Sequence, residues 1–117
     1  MARPCCPRHI ATLPGVVFFK PSGIPLADLE ERILPLDELE ALRLADRDGL
    51  PQAEAARRMG VSRQTFSRIL ARARRTVATC LTDGMAVRIE GGTVVVSALA
   101  SARKRPPAER AGRADPG

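Results

Sequence analysis

The sequence predicts a mainly α-helical protein in which three helices form a helix-turn-helix core, preceded by an extended arm and followed by a β-hairpin. Between residues 36 and 81, apolar side chains recur at spacings of three and four, as on one face of a helix. The first 25 residues hold too many prolines and glycines for a helix. After residue 84 the apolar period changes to two, which is typical of strands.

Length and composition indicate how the chain is organised. Its 117 residues, 44% of them hydrophobic, suit one domain. We divide the chain into a proline-rich extended arm (1–25), the helix-turn-helix domain with its hairpin (26–97), and a disordered basic tail (98–117) that has almost nothing to bury. Because tryptophan and tyrosine are absent and only three phenylalanines are present, the core must be mainly aliphatic.

The first predicted elements are short. A strand is expected within Val16–Lys20, and Leu26–Ile33 has a helical pattern that Pro35 limits to two turns at most. Leu36–Asp46 is predicted to form an amphipathic helix, because leucines alternate with charged residues at near-helical spacing. Gly49 is a suitable residue to follow the end of that helix.

Two further helices and the hairpin follow. Pro51 suits the first turn of a helix that runs through Met59, where Gly60 stops it. Ser62 can cap the third and longest helix with its hydroxyl group. Alternating apolar residues around two glycines predict a hairpin over Met85–Val96. The inward-facing residues of the third helix are expected to be Phe66, Ile69, Leu70, Ala73, Val77 and Cys80 or Leu81.

A specific spacing supports the helix-turn-helix. The motif needs a small residue where its helices cross, a turn residue that tolerates positive φ, and apolar anchors on its second helix. Ala56, Gly60 and Phe66 meet these requirements in that order. The motif is therefore predicted to run from about Gln52 to Cys80.

Charge is divided unevenly along the chain, whose net charge is +6. Asp28–Glu54 holds nine acidic and three basic residues, whereas Arg57–Arg75 holds seven basic residues and no acidic one. A concentrated positive stripe attracts nucleic acid by displacing condensed counterions, while ordinary solvated faces mix the two signs. Because the stripe coincides with the motif, the two together predict DNA binding.

The outward face of the third helix carries side chains of the types that read DNA. In the major groove arginine pairs well with guanine and glutamine with adenine, and the N-terminal end of a recognition helix lies closest to the bases. The expected base-reading residues are Arg63, Gln64, Ser67 and Arg68. The expected phosphate contacts are Arg57, Arg58, Ser67, Arg72 and Arg75.

A metal site is an alternative use of the cysteines. The candidate ligands are Cys5, Cys6, His9 and Cys80. Their spacing matches no familiar zinc finger, and adjacent cysteines rarely reach one tetrahedral site without strain. Free thiols are therefore favoured over a metal site, and no cofactor is expected.

The residues of an enzyme active site are not evident in the sequence. The only histidine lies in the proline-rich arm, and no serine or cysteine has an identifiable base. Asp37, Glu38 and Glu40 are interpreted as surface residues that complement the dipole of the helix they begin. We therefore predict that the protein is not an enzyme.

Four blocks of the sequence resemble one known family. They read FKPSGIPL, LDELEALRLADRDGL, EAARRMGVSRQTFSRILARARR and RIEGG, and the likeness extends from Arg3 to Gly92. The chain resembles the uncharacterised protein family numbered 0251, small prokaryotic predicted DNA-binding proteins whose helix-turn-helix is similar to region 4 of sigma factors. The resemblance implies that Ser62–Arg75 binds DNA. Pro51 departs from the pattern, since such helices usually begin with a serine or threonine cap.

Two functions of different classes follow from the sequence. The first is a transcriptional regulator that binds double-stranded DNA sequence-specifically, with a homodimer through the Met85–Val96 hairpin as one arrangement. The second is a protein-interaction module that docks on the transcription machinery, such as RNA polymerase, without reading DNA. Since no stretch approaches the ~20 apolar residues of a membrane span and no secretory signal is recognisable, we expect a cytoplasmic protein without a membrane partner.

Overall fold

The computed structural model describes residues 7–97, so the predicted tail over 98–117 lies outside the described residues. The described residues form three α-helices and five strands in two small sheets, which is an α/β fold. The mainly α-helical class predicted from the sequence is therefore wrong, because strands from the predicted arm and from residues 31–34 pair with strands near the end of the domain. Within residues 7–97 no helix is both long and apolar enough to cross a membrane.

The three helices lie where the apolar periodicity predicts them. α1 spans Leu36–Leu42 and continues through Arg43–Arg47 with π-helical hydrogen bonding. α2 spans Gln52–Met59. α3 spans Arg63–Asp83 and is the longest of the three.

Local chemistry sets the limits of α3. Ser62 Oγ accepts a hydrogen bond from Thr65 N–H at 3.1 Å, which satisfies one of the free donors at the start of the helix. Gly60 ends α2 with a φ of 71°, and Gly84 ends α3 with a φ of 68°. Both values are left-handed conformations that glycine adopts without steric cost. The predicted cap and the predicted turn glycine are confirmed.

The buried side of α3 is shared between two parts of the core. In its N-terminal half, Phe66, Ile69 and Leu70 pack against buried residues of α1 and α2. Further along, Ala73 packs with apolar residues of the strands. The predicted inward-facing residues of this stretch are thus confirmed, and the opposite side of α3 is left to solvent.

Two small sheets complete the fold. Their strands are β1 (Arg8–Ile10), β2 (Phe18–Phe19), β3 (Glu31–Leu34), β4 (Ala86–Ile89) and β5 (Val94–Val96). β4 is the central strand of the larger sheet, antiparallel to β2 and parallel to β3. β1 and β5 form the smaller sheet as a parallel pair.

The helix predicted over Leu26–Ile33 is wrong. Leu26–Asp28 forms a short 3₁₀ turn, and β3 begins at Glu31. Leu34 is the buried residue of β3, where it lies opposite Ile89 of β4. The spacing that suggests two helical turns belongs instead to a turn followed by an edge strand.

The hairpin predicted over Met85–Val96, and with it the predicted route to a homodimer through that hairpin, is also wrong. β4 and β5 lie in different sheets and do not pair with each other. Gly91 and Gly92 do have positive φ values, 82° and 96°. They carry the chain past the start of α1, where the Gly91 carbonyl oxygen accepts a hydrogen bond from Leu36 N–H at 2.9 Å. The glycine pair therefore makes a crossover between the sheets rather than a two-residue turn.

Gly60→Ala is expected to lower the free energy of unfolding more than Gly49→Ala. Both glycines have a φ of 71°, so alanine meets the same left-handed strain of about 1–2 kcal/mol at each position. A Cβ on Gly60 would also lie 2.6 Å from the His9 ring, whereas none of the described residues lies within 4 Å of a Cβ on Gly49. Urea unfolding of the two variants measures the difference, and equal losses would contradict the packing of His9 on this turn.

Candidate nucleic-acid interface

α3 presents a polar surface opposite its buried residues. At about 3.6 residues per turn, Gln64, Arg68 and Arg75 point directly away from the buried stripe. Arg63 and Ser67 flank them, and all five side chains are exposed. We call these five residues the α3 face. It brings together the four residues predicted to read bases and two of those predicted to contact phosphate, Ser67 and Arg75.

The N-terminal end of α3 is positively charged and therefore attracts anions. Its first turn holds no acidic residue, and its free backbone N–H groups form the positive end of the helix dipole. Arg63 adds a full positive charge at the first helical position. The 21 residues of α3 form a rod about 31 Å long, which keeps the α3 face rigid.

The three arginines of the α3 face have no internal ion pair. No carboxylate within residues 7–97 forms an ion pair with Arg63, Arg68 or Arg75. An exposed guanidinium without a partner can meet a phosphate or a base edge without first breaking an internal contact. These three positions therefore carry the most available positive charge of the basic stripe.

The two arginines of α2, in contrast, share one carboxylate. Glu54 lies 2.6 Å from Arg57 and 2.9 Å from Arg58. The hydrogen bonds from Arg57 and Arg58 lower the pKa of Glu54 to about 2. A glutamate that lies three or four residues before an arginine on a helix commonly pairs with it, so the spacing of Glu54, Arg57 and Arg58 is a local sequence signal for this contact, although it was not among the predictions.

Two further arginines of α3 are paired with acids of α1 and its continuation. Arg72 Nε lies 3.4 Å from Glu38, and Arg74 binds Asp46 through two hydrogen bonds of 2.7 and 3.1 Å. These pairs join the side of α3 to α1 and its continuation. Among the arginines predicted to contact phosphate, Arg75 is thus the one without an internal partner in the described residues.

The acids at the start of α1 are buried, so their interpretation as surface residues is wrong. Glu40 accepts hydrogen bonds from Arg43 at 2.6 and 2.9 Å and from Ala11 N–H at 3.1 Å. Asp37 Oδ1 accepts the backbone N–H of Glu38 at 2.9 Å. Burial and the neighbouring Asp37 carboxylate raise the pKa of Glu38. These acids have structural partners within the protein.

The candidate metal ligands do not meet within the described residues. His9 packs on Gly60, before α3, whereas Cys80 lies near the other end of α3 and donates its thiol proton to a backbone carbonyl oxygen at 3.6 Å. About 27 Å of helix separates the two positions. Cys80 is therefore a buried core residue and not a fourth ligand to a site at His9. Cys5 and Cys6 lie outside the described residues.

A groove of about 570 Å³ lies beside α1 and its π-helical continuation. Its walls include apolar side chains of α1 and of the segment after β1. The charged residues at its rim are bound to one another or to neighbours, in the pairs Arg43 with Glu40 and Asp48, Arg47 with Asp48, and Asp46 with Arg74. The charges beside the groove are thus internally compensated, unlike those of Arg63, Arg68 and Arg75.

Comparison with known sequences assigns the chain to a family. The family described as "Protein of unknown function DUF134" matches residues 1–97. A UPF0251 protein of Moorella thermoacetica is 54% identical over 92 residues, which cover 79% of this chain and 62% of the relative. The UPF0251 protein DET0218 of Dehalococcoides mccartyi is 50% identical over 107 residues, which cover 92% of each chain. The chain therefore belongs to the uncharacterised UPF0251 family, as its four sequence blocks predict.

Some relatives are longer than this chain. The chain spans about three fifths of the relatives from Moorella thermoacetica and Prosthecochloris aestuarii. The names of these relatives state no activity. No solved structure matches the chain.

Glu38→Gln is expected to make the free energy of unfolding less dependent on pH between about 4.5 and neutrality. In the folded state the pKa of Glu38 is raised above its ordinary value of 4.5, chiefly by burial. The folded protein therefore holds more protons than the unfolded chain in this window, and this residue's contribution to stability falls as the pH rises. Glutamine keeps the size of the side chain but does not titrate. Urea unfolding across the window should show the wild type losing stability relative to the variant as pH rises.

Glu54→Gln is a control, because the contribution of Glu54 to stability depends on pH in the opposite direction to that of Glu38. The pKa of Glu54 is lowered to about 2 by Arg57 and Arg58, so its contribution is present above pH 4.5 and is lost as the pH falls towards 2. If the stability difference between wild type and Glu38→Gln stayed constant, or grew in favour of the wild type with rising pH, the burial of Glu38 would be contradicted.

Proposed function

We propose that this protein is a transcriptional regulator that binds double-stranded DNA sequence-specifically through the α3 face. The observation that supports it most is that Arg63, Arg68 and Arg75 are exposed, lack ion pairs within residues 7–97, and lie with Gln64 on one rigid helix. A duplex carries one negative charge per about 1.7 Å of its axis, and its major groove, about 12 Å wide, admits an α-helix.

Base reading is assigned to the first turns of α3. Arg63, Gln64, Ser67 and Arg68 lie there, and the N-terminal residues of a recognition helix are those that contact base edges in helix-turn-helix proteins. Arginine can donate two hydrogen bonds to guanine, and glutamine can form a matching pair with adenine. These residues are expected to set the sequence preference.

Phosphate contact is assigned first to Arg75. Arg57, Arg58 and Arg72 are weaker candidates, because each must exchange a carboxylate partner for a phosphate oxygen. Ser67 can add a neutral hydrogen bond. We therefore expect unequal contributions from arginines that look equivalent in the sequence.

The proposed function also requires a location and a second copy of the protein. A chromosomal target places the protein in the cytoplasm of a prokaryotic cell, and a single helix-turn-helix buries little DNA, so a second copy on a symmetric site is part of the proposal. Docking on RNA polymerase without DNA contact is the competing function. It is favoured if the purified protein shows no measurable affinity for any duplex at low salt.

Arg75→Ala is expected to weaken binding to all duplexes alike and to reduce the salt dependence. Loss of one phosphate contact lowers the slope of log affinity against log salt by about 0.9. Arg57→Ala, which removes an arginine already paired with Glu54, should change the slope less. Arg47→Ala is the matched control, because it removes the same charge from an exposed position away from the α3 face. Fluorescence anisotropy at several salt concentrations measures the slopes, and equal effects of all three changes would contradict the assignment.

Arg68→Ala and Gln64→Ala are expected to relax base preference. Each bidentate pair discriminates against a wrong base by about 1–3 kcal/mol. A site is first selected from a random duplex pool with the wild type, and each variant is then measured on that site and on single-base changes of it. Discrimination should vanish at one base position for each variant, while other positions keep theirs. Unchanged discrimination in both variants would refute base reading by this face.

A further inference from the structure

We propose that His9 is a positioning residue of the helix-turn-helix, whose imidazole packs on the Gly60 turn and fixes the direction in which α3 leaves α2. The inference rests on the proposed DNA-binding function, in which His9 itself contacts no base. A Cβ on Gly60 would lie 2.6 Å from His9 Cδ2 and 3.2 Å from His9 Nε2. The ring therefore lies against the backbone of the turn at a distance that only glycine permits.

β1 holds His9 in place through the smaller sheet. β1 pairs in parallel with β5. Arg8 N–H donates to the Thr93 carbonyl oxygen and Ser97 N–H donates to the Ile10 carbonyl oxygen, both at 2.9 Å, which closes the pair at its two ends. Ile10, the next residue after His9, is almost completely buried. The strand that carries the imidazole is thus anchored on both sides of it.

A second anchor ties β1 to α1. Ala11 N–H donates to the buried carboxylate of Glu40 at 3.1 Å, directly after the end of β1. Neither α1 nor β5 belongs to the helix-turn-helix. β1 therefore connects these two elements to the turn, and the His9 ring is the point of contact with Gly60.

The contact depends on the shape of the ring. His9 Nδ1 is buried and has no hydrogen-bond partner among residues 7–97. A buried unpaired nitrogen disfavours the folded state, so hydrogen bonding does not account for the placement of the ring. A phenylalanine ring should fill the same space, whereas alanine should leave the turn without support.

The geometry of the turn amplifies small rotations. Only residues 60–62 separate α2 from α3. Arg68, one of the proposed base-reading residues, lies about 9 Å beyond Ser62 along the helix axis, so a tilt of about 10° at the turn displaces it by about 1.6 Å. Binding constellations tolerate only about 0.5 Å. A loose turn should therefore reduce base discrimination before it reduces general attraction to DNA.

His9→Ala and His9→Phe in the full chain test the proposal. The affinity of each variant is measured for the selected duplex and for a random duplex of equal length. His9→Ala should lower the ratio of the selected-duplex affinity to the random-duplex affinity by about tenfold, which is comparable to the loss of one base contact. The slope of affinity against salt should stay unchanged, and His9→Phe should keep the wild-type ratio. An unchanged ratio in His9→Ala, or an equal loss in His9→Phe, would overturn the positioning role.

A measurement without DNA separates this proposal from the function on which it rests. Residual dipolar couplings report the angle between the axes of α2 and α3, which His9→Ala should change and His9→Phe should preserve. In double variants, His9→Ala should restore part of the urea midpoint that Gly60→Ala alone loses. It should restore none of the midpoint that Gly49→Ala alone loses. If the angle changes as expected while the wild type binds no duplex, only the proposed function fails. If the angle in His9→Ala equals that of the wild type, the positioning role fails whatever the DNA result.

Discussion

Burial of one stripe of α3 is the interaction on which the rest of the structure depends. Phe66, Ile69 and Leu70 close the core against α1 and α2, and Ala73 continues the stripe into the strands. Fully burying a side chain the size of phenylalanine or leucine contributes about 1.5–3 kcal/mol, so these residues outweigh any exposed ion pair on the same helix. Because two parts of the core hold one rod, the direction of its solvent-facing side is fixed as well.

The available charge on that side is set by acids elsewhere in the chain. Glu54, Glu38 and Asp46 each hold one or more arginines of the basic stripe. The three arginines of the basic stripe that have no ion pair within residues 7–97 lie on the α3 face. Packing therefore decides where the rod points, and ion pairing decides which of its cations can meet a partner. Neither property can be read from the net charge.

Helices were predictable because their signal is local, whereas strand pairing and ion pairing depend on distant residues. The buried stripe that runs from Phe66 to Cys80 has the three- and four-residue spacing of a helix face, so α3 and its cap follow from the sequence. Leu26–Ile33 has the same spacing, but pairing with β4 near the end of the domain makes part of it a strand. Asp46 and Arg74 are 28 residues apart, so no local pattern joins them. The contact of His9 with Gly60 likewise exists only once β1 has paired with β5.

The most direct test of a DNA-binding α3 face is a titration of the ¹⁵N-labelled protein with a short duplex, followed by NMR. Amide signals of residues 60–75 should shift progressively with duplex concentration, while those around Arg47 and Arg88, which are paired with acids, should stay in place. Shifts concentrated beside the groove along α1, with the amides of α3 unchanged, would show that the partner binds another surface and would contradict the proposed role of this helix.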